Sequence, residues 1–291
     1  MVTLENEYLR VGINALGAQL SSIIDKRDGM EHIWQANPAV WAYHSPNLFP
    51  VVGGCINDSI LVDGKTFPIK RHGFARNSPF KKIESSPNHA QFALRYNEET
   101  LNSFPYKFEF QVVYHLDKNQ LRVMYKVINL DNKTVYFSLG AHPAFNVPFG
   151  DDEQYADYFV EFEKSEPLIS HQLNNQGFFN GETQLIPSNE NILQLKNELF
   201  TKDALVFKNL ASRKVKLKST KHSKHIAIEY PHFNYLGLWA KPGAPFLCIE
   251  PWLGCADTDA HQTEFSKKEA IQQVEHGHVF ETEFCISIIN D

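Results

Sequence analysis

Short runs in which apolar and polar residues alternate recur along almost the whole chain, and each ends in turn-forming residues. HAQFALRY (89–96), KFEFQVVYHL (107–116), QLRVMYKVINL (120–130) and KTVYFSL (133–139) follow one another, with polar turns such as Asp131-Asn132-Lys133 between them. Successive side chains of an extended strand point to opposite faces, so this period of two specifies strands with one buried face. DYFVEFE, DALVFKNL, KVKLKS, HIAIEY, YLGLWA, FLCIEPW and ETEFCISII repeat the pattern downstream. In SILVDGKTFPI, Asp63-Gly64 sits between two extended arms and marks a hairpin, because glycine accepts positive φ. The 22 phenylalanines and many β-branched residues suit packing on pleated surfaces. Few segments look helical: NPAVWAYH (37–44) fits a turn or two, and Ser266 caps SKKEAIQQV, with Glu269 completing a capping box. Residues 165–197 are polar and irregular, an excursion from the sheet rather than a domain boundary. The expectation is an all-β protein, one large antiparallel β-sandwich forming a single domain over residues 1–291.

Composition narrows the function classes. A chain of 291 residues with 43% hydrophobic content can bury a large core. Its net charge of −6 is spread without a basic stripe, which argues against a nucleic-acid partner, since phosphate binding needs clustered Lys and Arg. The opening MVTLENEYLRVGI has no apolar core of a secretion signal, and no run approaches the apolar length of a membrane-spanning helix. Cys55, Cys248, Cys255 and Cys285 form neither a CxxC pair nor a disulfide framework, and read as reduced, buried thiols of a cytoplasmic protein.

Three stretches could carry chemistry. SLGAHPAF (138–145) ends an apolar strand-like run with His142 between Ala141 and Pro143. Strand parity puts His142 on the Tyr136/Ser138 face unless Gly140 breaks it, and Pro143 keeps the histidine backbone extended. A structural core histidine, a metal ligand and a catalytic acid all fit this stretch. FLCIEPWLG (246–254) has the same grammar, with Glu250 between Ile249 and Pro251. Glutamate is almost never fully buried unless paired, so Glu250 either caps a sheet end or faces a partner or cavity. KRHGFARNSP (70–79) places His72 before Gly73, flanked by Arg71 and Arg76, whose donor forks suit sugar hydroxyls, carboxylates or phosphates as well as plain solvent.

Other histidines look like decoys. His222 and His225 lie among lysines in KHSKH and read as a solvated turn. HGHVFETE has the HxH-x4-E spacing of cupin metal sites in His276, His278 and Glu283, but Ala270 stands where that motif expects glycine and its downstream half is missing. No metal site is expected, and no G-x-S-x-G, P-loop or dinucleotide fingerprint appears in strand-to-helix context.

Taken together, NLFPVVGG, RHGFAR, SLGAHPAF and CIEPWLG, in this order, resemble the aldose 1-epimerase (galactose mutarotase) family, closest to its LacX-like branch. The resemblance covers nearly the whole chain and implies a galactose mutarotase-like β-supersandwich with a sugar cleft on one sheet. It implies His142 as the acid, Glu250 as the base and His72 as a sugar contact, with no cofactor. Related sequences usually carry Gly-Arg where this chain has Gly53-Gly54, so the guanidinium is missing and Arg76, or else Arg71, stands in from the next loop. Trp239 and Trp252 offer apolar faces to sugar C–H groups or simply fill the core. The implied partner is an aldohexose, free or phosphorylated, bound by a monomer or homodimer. In the phosphorylated case Arg71, Arg76 and Lys241 form a basic pocket. A non-catalytic sugar-binding protein on the same fold is the rival from another class. A glycosidase fits less well, because the usual mechanism wants two carboxylates and only Glu250 stands in apolar strand context.

Overall fold

The computed structural model describes residues 1–290. Two large antiparallel sheets face each other. The first has nine strands in the order Ile192–Gln194, Tyr158–Phe162, Lys214–Ser219, His225–Glu229, Val279–Ile289, Gln120–Asn129, Phe108–Asp117, His89–Arg95 and Lys81–Ser86. The alternation read from sequence is realised here. Leu121, Val123, Tyr125 and Val127 are buried in the core, while Lys126 pairs with Glu281 at 2.8 Å on the outer face.

The second sheet carries the site. Its order is Phe179–Leu185, Ile169–Leu173, Leu205–Lys208, Tyr235–Trp239, Phe246–Leu253, Leu139–Ala141 and Asn47–Leu48, with Ala144–Asn146 also pairing to Phe246–Leu253. Leu205, Phe207, Leu236 and Leu238 face the main core, and their alternating neighbours Val206 and Tyr235 join a separate apolar cluster with Leu48, Phe179 and Trp252. This sheet is therefore covered on both faces, which explains why Phe246–Leu253 is a continuous buried run. Aromatic rings lock the sheets together: Phe49 stacks on Phe110 at 4.5 Å and Phe207 meets Phe162 edge-on at 6.0 Å.

The Asp63-Gly64 hairpin forms as expected between Ser59–Val62 and Lys65–Pro68, with φ of 52° and 71° at its two turn residues. NPAVWAYH makes one closed turn, the Asn37 carbonyl accepting from the Trp41 N–H at 2.8 Å. A short helix that the sequence reading did not single out spans Glu98–Ser103, where the Asn97 and Thr100 side chains each accept from the other's backbone N–H at 2.8 Å.

Two expectations fail. SKKEAIQQV is not a helix: a 3-10 turn at Phe265–Lys267 is followed by the Gln272–Val274 strand, which pairs with Val135–Phe137. Long-range pairs override the local capping signal, since Lys268 turns inward to Asp257, Glu269 turns to Lys208 at 2.8 Å, and Ala270 adopts φ 54°. The polar stretch 165–197 is not an excursion either. It supplies Ile169–Leu173 and Phe179–Leu185 to one sheet and Ile192–Gln194 to the edge of the other. Phe179–Leu185 is an edge strand whose outward residues meet solvent, so its sequence reads as loop.

Candidate active site

His142 and Glu250, far apart in sequence, are cross-strand partners. Gly140 pairs with Trp252 on one side of the histidine and Ala144 with Cys248 on the other, and the register is the same on both sides of the break at His142–Pro143. That register sets His142 opposite Glu250, and the Ile249 N–H donates to the Pro143 carbonyl at 3.1 Å to hold the ladder between them. Opposed residues of an antiparallel pair present neighbouring side chains on one face. The His142 Nε2 lies 3.2 Å from Glu250 Oε2, and both residues are buried, to 7% and 1% exposure.

The two groups look into a cavity of about 430 Å³ that is also lined by Trp41, Arg71, His72, Asp203, Trp239 and Trp252. Trp252 forms part of its floor because Gly140 and Gly237 leave room for the indole: a Cβ on Gly140 would stand 2.5 Å from Trp252 Cδ1. Trp41, delivered by the closed turn at 37–41, stacks on the His142 ring at 5.0 Å, and Trp239 meets that ring edge-on at 6.0 Å.

His72 adopts φ 68° and Gly73 follows at φ 71°, with a Cβ on Gly73 falling 2.2 Å from the Phe49 carbonyl oxygen. Only glycine fits that approach, and the left-handed turn is what swings His72 inward. The Gly53 N–H donates to His72 Nδ1 at 3.2 Å, so the ring's proton sits on Nε2 and the ring offers a donor from that nitrogen. Burial, together with the nearby His142, Arg71 and Arg76, holds His72 well below the usual histidine range, in its neutral form.

Electrostatics in the cavity run against a charged imidazole. Burial pushes His142 down to about 3, and Arg76 and Arg71 add to the effect. Burial raises Glu250 well above the usual carboxylate range, with Arg71 acting the other way. The sequence reading expected the carboxylate to keep the imidazole charged. The carboxylate is in place, but removal of both groups from water favours the neutral pair, because a dry ion pair loses more hydration than its attraction returns.

Of the remaining expected residues, the structure brings Arg71, Arg76 and Trp239 to the cavity wall. Arg71 approaches Asp203 at 3.9 Å and packs against Gly177, while Arg76 donates to the Arg71 carbonyl at 3.1 Å and lies over Tyr43 at 5.1 Å. The space beside Gly54 is taken by Phe178, whose Cε1 would be 2.9 Å from an added Cβ. Lys241 turns away to the Val40 carbonyl at 3.1 Å. His222 is not in a solvated turn: it reaches Glu153 at 3.1 Å, and Tyr158 and Ser219 donate to the same carboxylate at 2.5 Å. His225 stays on the surface, 2.9 Å from the Ser223 carbonyl. His276 contacts the Asp131 carbonyl and Glu283 pairs with Arg122 at 3.7 Å. Sequence reasoning missed Trp41, Asp203 and Lys202. An exposed-looking tryptophan in NPAVWAYH was the one available signal, and nothing in TKDALVF marks a cavity wall.

Residues 1–270 match the sequence pattern of the aldose 1-epimerase family. The chain belongs to the aldose 1-epimerase family. Protein LacX of Lactococcus lactis, in its plasmid and chromosomal versions, is 35% identical over a 298-position alignment that covers 99% of this chain and 99% of that protein. Among solved structures, a galactose mutarotase related enzyme from Lactobacillus acidophilus superimposes with a TM-score of 0.94 at 32% identity, covering 99% of this chain and 97% of that one. A galactose mutarotase-like protein from Lactobacillus casei matches equally well, at TM-score 0.94 and 32% identity over 99% and 100% of the two chains. The β-sandwich expected from the alternating strands is thus the family's architecture. No helix among the described residues is long and apolar enough to cross a membrane.

Proposed function

We propose that this aldose 1-epimerase family member is a mutarotase acting on an aldohexose, with Glu250 and His142 moving the two protons. What carries the reading is the imidazole–carboxylate pair, 3.2 Å apart on adjoining strand positions and open to one cavity. Exchange of α and β anomers requires the pyranose ring to open, the aldehyde to turn about C1–C2, and the ring to close. Opening needs a base for the C1 hydroxyl proton and an acid for the ring oxygen.

With Glu250 as base and His142 as acid, opening starts from the carboxylate–imidazolium form. Glu250 gains a proton from the sugar and His142 gives one up, so the pair ends neutral. That is the form burial favours; Arg71 supports the carboxylate that precedes it while opposing the imidazolium, so polar contacts from the bound hexose must support the charged imidazole. Closure on either aldehyde face returns the protons. Each proton-transfer group typically contributes ~10²–10⁴-fold. Both together supply ~10⁴–10⁸-fold, or about 5–11 kcal/mol. His72 Nε2–H and Arg71 are the donors that fit ring hydroxyls, and Trp239 and Trp252 suit apolar C–H faces. One domain is the natural reading, since a single core runs from Leu4 to Ile288.

Polarimetry on freshly dissolved glucose and galactose anomers tests the assignment. Glu250→Gln and His142→Asn should each remove most of the rate while sugar binding persists; full rate in either variant sinks it. Lys202 lines the same cavity as Arg71 and Arg76, which favours a phosphorylated hexose as the second reading. Catalytic efficiency on free and 6-phosphorylated hexoses separates the two. Saturable binding without accelerated exchange by the wild-type chain would point to a sugar-binding protein instead.

A further inference from the structure

The ladder that pairs His142 with Glu250 places a third donor beside them. Cys248 lies two residues before Glu250 on the same strand and therefore on the same face, and its register partner is Ala144, two residues beyond His142. One nitrogen of His142, the Cys248 sulfur and a carboxylate oxygen of Glu250 all fall within 4.8 Å of one another, and all three residues are buried. His142 and Glu250 already stand 3.2 Å apart. A tetrahedral zinc ion, with bonds of ~2.0–2.3 Å, holds its ligand atoms ~3.3–3.6 Å apart, so modest side-chain adjustment closes the set.

Two further features distinguish this cluster from a thiol that merely fills space. Glu250 Oε2 and His142 Nδ1, on residues that line the cavity, are buried without a well-formed hydrogen bond to the protein. Cys55 and Cys255, equally buried, have no such pair of imidazole and carboxylate donors around them among the described residues. The balance of charge is also favourable. Before binding, the thiol holds one proton and the His142–Glu250 pair holds another. A divalent cation that takes thiolate, carboxylate and neutral imidazole releases both protons and leaves the net charge unchanged, so neither Arg71 nor Arg76 opposes it.

The geometry points to a thiophilic metal site at His142, Cys248 and Glu250, at which a divalent zinc-type ion binds and shuts off proton transfer. The ion takes Nε2 or Nδ1 of the imidazole and an oxygen of the carboxylate, the groups that must exchange protons with the sugar, and its open fourth position faces the cavity. The site is inhibitory rather than catalytic, and that inhibitory consequence rests on the mutarotase reading; the binding does not.

Titration of the intact protein with Co²⁺ and Zn²⁺ tests it directly. Cobalt should give a thiolate-to-metal ultraviolet band that zinc displaces, with two protons released per ion in weakly buffered solution. Cys248→Ala and Cys248→Ser, checked for native near-ultraviolet dichroism, should lose the band and weaken zinc inhibition at least ~10-fold relative to each variant's own rate. A chain with Cys55, Cys255 and Cys285 replaced by alanine should keep both. A band that survives loss of Cys248, or no thiolate band in either the wild-type chain or the chain retaining Cys248 alone, overturns the site and leaves the mutarotase reading intact. A Cys248-dependent band with undiminished anomer exchange leaves the site standing and refutes the proton-carrying roles of His142 and Glu250.

Discussion

Trp41 lies face-on against His142, with ring centroids 5.0 Å apart and 27° between the planes. The indole comes from a loop, the imidazole from a strand end, and Trp239 closes the other side of the contact at 5.6 Å from Trp41. An aromatic face beside an imidazole favours its charged form, against the burial that depresses it. Trp41→Leu should therefore slow anomer exchange by up to ~10-fold, the equivalent of an aromatic contact worth ~0.5–1.5 kcal/mol. The loss should appear in kcat more than in KM. An unchanged kcat in a folded variant would remove Trp41 from the catalytic argument.

We propose Arg71, rather than the Arg76 that the sequence reading put first, as the stand-in for the arginine that related sequences carry at the Gly54 position. It reaches the cavity beside Asp203, whereas Arg76 is held by the Arg71 carbonyl and Tyr43. Hydrogen bonds to charged groups contribute ~1.5–3 kcal/mol, so Arg71→Ala should lower kcat/KM by ~10–100-fold, mostly through KM. Steady-state kinetics with the preferred hexose decides; a change confined to kcat would place Arg71 with the proton carriers instead.

Glu250 trades stability for its position. Its carboxyl is raised above the ordinary value of 4.5, so it stays protonated in the folded chain while the unfolded chain ionises. Stability associated with that proton is present below the unfolded value and declines as pH rises toward the folded one. Glu250→Gln has no proton to lose, so its melting temperature should gain on wild type progressively as pH rises above the unfolded carboxyl value of 4.5. Burial of neutral His142 weakens both chains below its unfolded value of 6.5, which is why the difference between chains is the quantity to follow. Parallel melting curves over the range would contradict the elevated carboxyl.

Glu153 behaves in the opposite sense. Ser219, Tyr158 and His222 all reach its carboxylate and hold it below the ordinary range despite the cost of burial. Its contribution is present above the unfolded value and is lost as pH falls through the folded one. Glu153→Ala should cost ~1–3 kcal/mol in urea unfolding near neutrality, shrinking under acid, with anomer exchange untouched. A deficit that persists undiminished in acid would show that packing, and not the charge, is what Glu153 supplies.

The nine-stranded sheet was legible because one face is core and the other carries paired charges, so Leu121, Val123 and Tyr125 alternate visibly with Arg122 and Lys126. The same rule hides Phe179–Leu185, which as an edge strand buries little. SKKEAIQQV misleads because a capping box is a local signal, and Lys268–Asp257 and Glu269–Lys208 are not local. His142 and Glu250 stand out because each interrupts an apolar run just before proline. Trp41 and Asp203 enter the cavity through tertiary packing alone, and no spacing in the chain announces it.

The groups assigned to proton transfer are pinned by a shared backbone ladder, whereas Arg71, His72, Trp41 and Asp203 arrive on connecting segments that the ladder does not constrain. Preference for one sugar over another can thus drift by loop replacement while the reacting pair keeps its spacing, as loops on rigid scaffolds generally permit. Grafting the 37–44 or 70–77 segment of a relative onto this sheet is accordingly a direct route to altering what the protein accepts without rebuilding how it reacts.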